Sequence, residues 1–274
     1  MKLHFVKMNG LGNDFMVAEW PKGRPAPDAE LVRRWGDRRL GVGFDQLLLL
    51  GAERPRGGDA SYRVFNADGG EAEQCGNGVR CLASFLVPRV GREEVTLVGP
   101  LGPTVAKVES AQRVSVDLGE PSFEPSALPF TTPARRDRYR LELPTQSVEF
   151  GAVSMGNPHV VIEVDSVARA PVGILGPVLE RHPSFPQRVN VGFMERVDDR
   201  HIKLRVFERG AGETLACGTG AAAAVAVGRL WGELTERVEV SLPGGVLEVS
   251  WRGPGSTLWQ TGPVSAAYEG QIDL

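Results

Sequence analysis

The sequence predicts an α+β protein of two pseudo-symmetric domains, each a mostly antiparallel sheet curled around a central helix. Three observations predict it. The stretch Phe65-Asn66-Ala67-Asp68-Gly69-Gly70-Glu71-Ala72-Glu73-Gln74-Cys75-Gly76-Asn77-Gly78 has a counterpart in Phe207-Glu208-Arg209-Gly210-Ala211-Gly212-Glu213-Thr214-Leu215-Ala216-Cys217-Gly218-Thr219-Gly220. Phe65 and Phe207, Gly70 and Gly212, Glu71 and Glu213, Cys75 and Cys217, Gly76 and Gly218, and Gly78 and Gly220 are each 142 positions apart. Each copy opens an apolar run, 79–87 and 221–227, and the alanines of the second are the best helix formers. Around both runs lie short segments that alternate like antiparallel strands.

In chain order, residues 1–20 read as a strand, a turn and a strand. The turn is Asn9-Gly10-Leu11-Gly12-Asn13-Asp14, in which Asn9 is expected to supply left-handed geometry. Asp28 is the expected N-cap of an Arg-rich helix over 29–37. Gly41-Val42-Gly43-Phe44-Asp45-Gln46 leads into a buried strand at 47–50, and a strand at 62–65 feeds the first cysteine loop. Cys81 falls inside the helix that follows, as a small buried hydrophobe. Strands at 95–98, 104–108 and 114–118 complete the first half. The proline-rich stretch from Pro121 to Asp137 has no period and reads as a linker, which divides the chain into 1–120 and 121–263. The second half repeats the plan. Met155-Gly156-Asn157-Pro158-His159 parallels Gly12-Asn13-Asp14, Val191-Gly192-Phe193 parallels Val42-Gly43-Phe44, and 202–207 is the strand before the second cysteine loop. Closing strands are expected at 238–242, 246–251 and 257–260.

With 274 residues the chain can bury a sizeable core. A net charge of −3 points to neither a nucleic-acid nor an anionic-membrane partner. No apolar run of transmembrane length appears, and Met1-Lys2-Leu3-His4-Phe5 lacks a signal-peptide core, so the cytoplasm is expected. Three cysteines make no disulfide framework, and their spacings are not those of a zinc site, so no metal is expected. The six asparagines, Asn9, Asn13, Asn66, Asn77, Asn157 and Asn190, all lie in motif-like stretches, as though retained for tasks no other residue performs.

A helix start carries unpaired N–H groups and partial positive charge, so it holds anions and lowers the pKa of a nearby thiol. Two such thiols facing each other across a cleft would flank the carbon next to a carboxylate. That carboxylate would be held by the backbone of Gly76-Asn77 and Gly218-Thr219. One thiolate removes the α-proton and the opposed thiol returns one to the other face, inverting the centre. This is a racemase or epimerase needing no cofactor. Nucleophilic catalysis by Cys217 with His159 is the runner-up, and it leaves Cys75 idle.

The motifs Phe65-Asn66-Ala67-Asp68-Gly69, Gln74-Cys75-Gly76-Asn77-Gly78, Gly156-Asn157-Pro158-His159, Glu208-Arg209-Gly210-Ala211-Gly212-Glu213-Thr214 and Ala216-Cys217-Gly218-Thr219-Gly220 closely resemble those of the diaminopimelate epimerase family. So do Gly10-Leu11-Gly12-Asn13-Asp14-Phe15, Gly43-Phe44-Asp45-Gln46 and Arg188-Val189-Asn190-Val191-Gly192-Phe193, and the resemblance spans the chain. It implies interconversion of LL- and meso-2,6-diaminopimelate for lysine and peptidoglycan synthesis, without metal or pyridoxal phosphate. It implies Cys75 and Cys217 as the acid/base pair, assisted by His159 and Glu208. Asn13, Gln46, Asn66, Asn157, Asn190 and Arg209 would bind substrate. It further implies a homodimer and the return of 264–274 to the first domain.

The chemistry agrees. The substrate has two amino-acid ends, and the unreacting end needs a carboxylate partner, which Arg209 can supply with two parallel N–H donors. Asn side chains both donate and accept, and Glu208 can balance an ammonium. Glu71 and Glu213 are expected only to support their loops, and Asp14, Asp45 and Asp68 to make Asx-type turn bonds. Three rivals remain. A proline racemase-like enzyme would leave Arg209 without purpose. A pyridoxal-phosphate enzyme would need a motif lysine, which none of the five lysines is. A non-catalytic binding protein would tolerate loss of either cysteine.

Overall fold

The computed structural model describes residues 1–72, 76–132, 134–144 and 146–274. The chain forms two compact units, Met1–Asp117 with Thr261–Leu274, and Leu118–Gln260.

In the first unit β1 (Lys2–Gly10) and β2 (Asn13–Trp20) form a hairpin. Its two loop residues, Leu11 and Gly12, both have positive φ (58° and 82°), the pattern that matches strand twist in two-residue hairpins. Asn9 therefore does not take the left-handed position expected of it. It stays in the strand, and its side chain accepts from the Gly12 N–H at 3.3 Å. Helix α1 (Ala29–Gly36) starts at Asp28, whose carboxylate accepts from the Leu31 N–H. Strand β3 (Gln46–Gly51) runs parallel to β2 and antiparallel to β4 (Ala60–Asn66), which turns back into β5 (Glu71–Ala72). Helix α2 (Gly76–Val90) follows, then an antiparallel meander of β6 (Glu94–Gly99), β7 (Gly102–Ser110) and β8 (Arg113–Asp117). Strand β6 joins β4 in parallel. Helix α2 packs on β1, β2, β3, β6, β7 and β8, and it buries Val79, Cys81, Leu82 and Ala83 completely.

The second unit contains β9 (Tyr139–Glu142), β10 (Ser147–Ser154), β11 (Pro158–Glu163), helix α3 (Val172–Glu180), β12 (Asn190–Arg196), β13 (His201–Glu208) and β14 (Gly212–Thr214). Helix α4 (Gly218–Leu230), β15 (Arg237–Leu242), β16 (Gly245–Ser250) and β17 (Trp259–Pro263) follow, and β17 carries the chain back into the first unit. There β18 (Ser265–Asp273) lies antiparallel to β1, with Lys2 opposite Asp273.

The ladders of the two units match. Parallel β2–β3 corresponds to parallel β11–β12, antiparallel β3–β4 to β12–β13, β4–β5 to β13–β14, and parallel β4–β6 to β13–β15. Register repeats too: Phe65 faces Glu71 as Phe207 faces Glu213. Helix α4 packs on β10, β11, β12, β13 and β16, and Ala221 through Val227 are fully buried. A helix apolar on every side is a core helix. Both central helices read from the sequence are therefore present.

A further sequence expectation changes, and one helix was not foreseen. The proline-rich stretch is not a loose linker, because Phe123, Leu128 and Phe130 are buried, Leu128 and Phe130 in the aromatic core with Tyr139, Phe150 and Phe185. The rings of Phe130 and Phe185 stack at 4.7 Å. Helix α3 was not legible, since Gly173, Gly176 and Pro177 all argue against a helix. It forms because Val172, Leu175 and Leu179 join that core, and packing outweighs propensity.

Candidate active site

In the second unit Cys217 is the N-cap of α4, and its sulfur accepts from the Gly220 N–H at 3.3 Å. The two glycines of Cys-Gly-Thr-Gly are there for space, since neither has positive φ. A Cβ on Gly218 would lie 3.0 Å from Gln260 Oε1, and one on Gly220 would lie 2.9 Å from Val206 Cγ2 and 3.2 Å from the Cys217 sulfur. Buried Gln260 donates to the Gly218 carbonyl at 2.6 Å and so holds the helix start from behind.

The thiol does not behave as a simple helix-start argument expects. Cys217 is 4 % exposed. Burial pushes its pKa well above the ordinary range and the negative charge of Glu208 adds to this, outweighing the Thr219 hydroxyl and the Gly220 N–H, which act the other way. Cys217 is therefore held as the neutral thiol.

A line of hydrogen bonds leads away from it. Cys217 Sγ lies 3.6 Å from Thr219 Oγ1, Asn157 Nδ2 donates to that hydroxyl at 3.3 Å, and His159 Nε2 lies 2.9 Å from Asn157 Oδ1. Since Asn157 presents its carbonyl to the ring, His159 Nε2 carries the proton. His159 is 1 % exposed, and burial, with the nearby Arg209 charge, pushes its pKa down to about 3, so the imidazole is neutral. Glu208 accepts from the Thr214 hydroxyl. Asn190 is buried; it donates to the Pro158 carbonyl at 2.9 Å and accepts from the Arg209 N–H at 2.9 Å. Arg209 Nη1 donates to the Gln187 carbonyl at 3.3 Å. The structure thus gathers Cys217, Gly218, Thr219, Asn157, His159, Asn190, Glu208 and Arg209 into one unit's site.

In the first unit Gln46 Nε2 donates to Asn66 Oδ1 at 2.9 Å, while Gln46 Oε1 is buried without a partner among the described residues. Asn77, in the first turn of α2 just after Gly76, accepts from the fully buried Arg80 at 2.5 Å. Cys75, with Glu73 and Gln74, lies outside the described residues. Asn13 closes the β1–β2 hairpin opposite Gly10.

Several residues that sequence reasoning missed hold these in place. Asp14 and Asp45 do more than stabilise their own turns. Asp14 N–H donates to Asp45 Oδ2 at 3.1 Å and Asp45 N–H to Asp14 Oδ1 at 2.9 Å, tying the loops of Asn13 and Gln46 together. Arg38 grips Asp14 through two bonds of 2.9 and 2.8 Å and reaches Asp45 at 2.6 Å, and Lys7 also donates to Asp14. Burial opposes ionisation of Asp14, but Arg38 and Lys7 keep its carboxyl far below the usual range. Asp68 makes the expected Asx bond, to Gly70 N–H at 2.8 Å. Glu71 and Glu213 support their loops as expected, each in a two-bond pair: Arg63 to Glu71 at 2.6 and 2.7 Å, Arg205 to Glu213 at 2.6 and 2.9 Å. The 142-residue offset between Arg63 and Arg205 is a signal that could have found them. Among the described residues no group of three His, Cys, Asp or Glu side chains is placed to hold a metal ion.

A family model described as diaminopimelate epimerase matches residues 5–124 and 151–267. The chain is 51 % identical over 278 residues to the diaminopimelate epimerase of Alkalilimnicola ehrlichii, covering all of both chains. It is 48 % identical over 277 residues to that of Nitrosomonas europaea, again over both full lengths. Its fold is similar to that of a probable proline racemase from Agrobacterium radiobacter, with a TM-score of 0.70 at 17 % identity over 99 % of this chain and 93 % of that one. It is also similar to a phenazine biosynthesis protein from Bacillus anthracis, with a TM-score of 0.66 at 15 % identity over the whole of both chains. These structural likenesses speak to the fold alone. The match of model and relatives along the whole chain places it: the protein belongs to the diaminopimelate epimerase family.

Proposed function

We propose that this chain is a cofactor-independent isomerase that interconverts LL- and meso-2,6-diaminopimelate, supplying lysine and peptidoglycan synthesis. Family membership at about half identity over the full length supports the reaction. The observation that carries the chemistry is a buried thiol at the start of an apolar helix, with a carboxylate beside it and a neutral imidazole linked to it through Asn157 and Thr219.

In the proposed mechanism Cys75 and Cys217 are the two acid/bases. Cys217, held as a thiol by burial and by Glu208, donates a proton to one face of the α-carbon. After the transfer its thiolate is stabilised by the Gly220 N–H and the Thr219 hydroxyl, the same two groups that lower its pKa. The N–H groups at the starts of α2 and α4, Gly76-Asn77 and Gly218-Thr219, hold the reacting carboxylate as charge builds on it. Arg209 grips the carboxylate of the unreacting end, Asn13, Asn66, Asn157 and Asn190 frame the two amino-acid ends, and Gln46 Oε1 is an acceptor awaiting an ammonium. Nucleophilic catalysis by Cys217 with His159 has less support, since the histidine bonds Asn157 and, with its proton affinity so reduced, is a weak base. We infer also a homodimer of domains 1–120 with 264–274 and 121–263, working in the cytoplasm. No described helix is long and apolar enough to cross a membrane.

The test uses Cys75→Ala and Cys217→Ala. Each should lose epimerisation by roughly 10²–10⁴-fold. Given a diaminopimelate analogue with a leaving group next to the reacting carbon, the two variants should eliminate from opposite stereoisomers. Loss of the same stereoisomer in both, or turnover of proline rather than diaminopimelate by the parent, would overturn the assignment.

A further inference from the structure

Glu180 ends helix α3 with its side chain 2 % exposed. A carboxylate there opposes the helix dipole, and a buried charge is costly unless well paired. Helix stability therefore does not explain it. Its partners do. Glu180 Oε1 accepts from the Gly210 N–H at 3.0 Å, Oε2 from Arg181 at 3.0 Å, and Arg188 lies 3.5 Å from Oε1. The Glu180 carbonyl accepts from the Val189 N–H at 3.2 Å. One residue thus touches both motif segments of this unit's site, 188–190 and 208–210.

The first of those segments holds a strained residue. Arg188 sits at φ 61°, a left-handed conformation that a non-glycine residue holds only when its surroundings enforce it. Residues 208–211 form a turn closed by Ala211 N–H to the Glu208 carbonyl at 3.2 Å, with Gly210 at φ 77°. Inside the turn the Arg209 N–H is held by Asn190, so Glu180 and Asn190 together secure two successive N–H groups. The helix bearing Glu180 is fixed by its core leucines and by the bare face of Gly176 against Phe207. Burial alone would favour the neutral acid, but Gly210 N–H, Arg181 and Arg188 hold the Glu180 carboxyl below its ordinary range, so the clamp is ionised.

We propose that Glu180 is a positioning residue of the substrate site, whose buried carboxylate locks the 208–211 turn onto the 187–190 segment and so sets the direction from which Arg209 meets the substrate. This rests on the reading of Arg209 as the partner of the substrate's unreacting carboxylate.

Steady-state kinetics on LL- and meso-diaminopimelate, with Glu180→Gln, Glu180→Ala, Arg209→Lys and the Glu180→Gln/Arg209→Lys double variant, test it. Glu180→Ala should raise KM roughly tenfold or more with kcat changed far less, as expected for losing a charged hydrogen bond that acts through binding. Glu180→Gln keeps the shape and one acceptor, so it should fold and show a smaller rise of the same kind. In the Arg209→Lys background the effect of Glu180→Gln should largely vanish, because both act on one contact. If Arg209→Lys raises KM while the Glu180 variants leave it alone, or if they only reduce kcat in proportion to folded enzyme, Glu180 is merely structural and this inference falls. If Arg209→Lys itself leaves KM at the parent value, the reading of Arg209 falls, and this inference with it.

Discussion

Two glycines three positions apart in helix α3 should respond to alanine with opposite signs. A Cβ on Gly173 would meet nothing within 4 Å, and the residue is exposed. Gly173→Ala should therefore gain helix propensity, up to about 1 kcal/mol. A Cβ on Gly176 would lie 2.5 Å from Phe207 Cγ and 2.7 Å from its Cβ and Cδ2. These are the root of a ring packed at the end of β13, where nothing flexible can yield. Overpacking of that kind costs about 1–3 kcal/mol, and contacts this short put Gly176→Ala at the upper end, so that after the same propensity gain a net loss of up to about 2 kcal/mol remains. At roughly 2–4 °C per kcal/mol, Gly176→Ala should melt several degrees below the parent and Gly173→Ala a few degrees above it. Circular dichroism melts at one pH decide the matter. Because Phe207 precedes Glu208, the Gly176 variant should also lose catalytic efficiency, while Gly173→Ala should not. Equal upward shifts in both melts would refute the packing argument.

The remaining predictions concern charge. Glu208→Gln removes one of the influences that raise the Cys217 pKa, so iodoacetamide should label Cys217 faster at pH 7 even as epimerase activity falls; unchanged labelling would detach Glu208 from the thiol. His159 is held neutral in the fold but titrates near 6.5 when unfolded, so the unfolded chain binds the extra proton as pH falls. Stability should accordingly drop between about pH 6.5 and 3, and His159→Gln should flatten that slope in urea titrations. Glu71 has a depressed pKa, chiefly through Arg63, so its contribution is present above pH 4.5 and lost below it; Arg63→Met should remove this part of the acid sensitivity.

What the sequence made legible was periodic or repeated: many of the strand segments, both cysteine helices and the 142-residue repeat. Backbone rules govern those, and they act over a few residues. Glu180, Arg38 and Gln260 were not legible because each matters through a partner many positions away, Gly210, Asp14 or Gly218, and no local spacing announces such a pairing. The 121–137 stretch misled for a related reason. Its prolines resemble a linker locally, and only the tertiary core reveals Leu128 and Phe130 as buried anchors. The sign of the Cys217 shift was missed because a helix start and burial push a thiol in opposite directions, and sequence gives no measure of burial.

The two units agree where shape is needed and differ where the substrate is lopsided. The Arg63–Glu71 and Arg205–Glu213 pairs occupy the same rungs of matching hairpins, and each hairpin leads to a helix that starts with a small residue in its first turn. On the proposed assignment these like-built supports present one acid/base to each face of the α-carbon. At the matching rung where parallel strands pair, however, the first unit has Phe15 beside Gln46 and the second has His159 beside Asn190. At the 142-residue offset Asn66 becomes Glu208 and Ala67 becomes Arg209. A substrate identical about its reacting centre would gain nothing from these differences. One that carries a second, unreacting amino-acid end needs a cation on one side only, and on the proposed assignment Arg209 is that cation. The neutral histidine fits the same logic, since a charged imidazole buried near Arg209 would repel the guanidinium that the distal carboxylate must find.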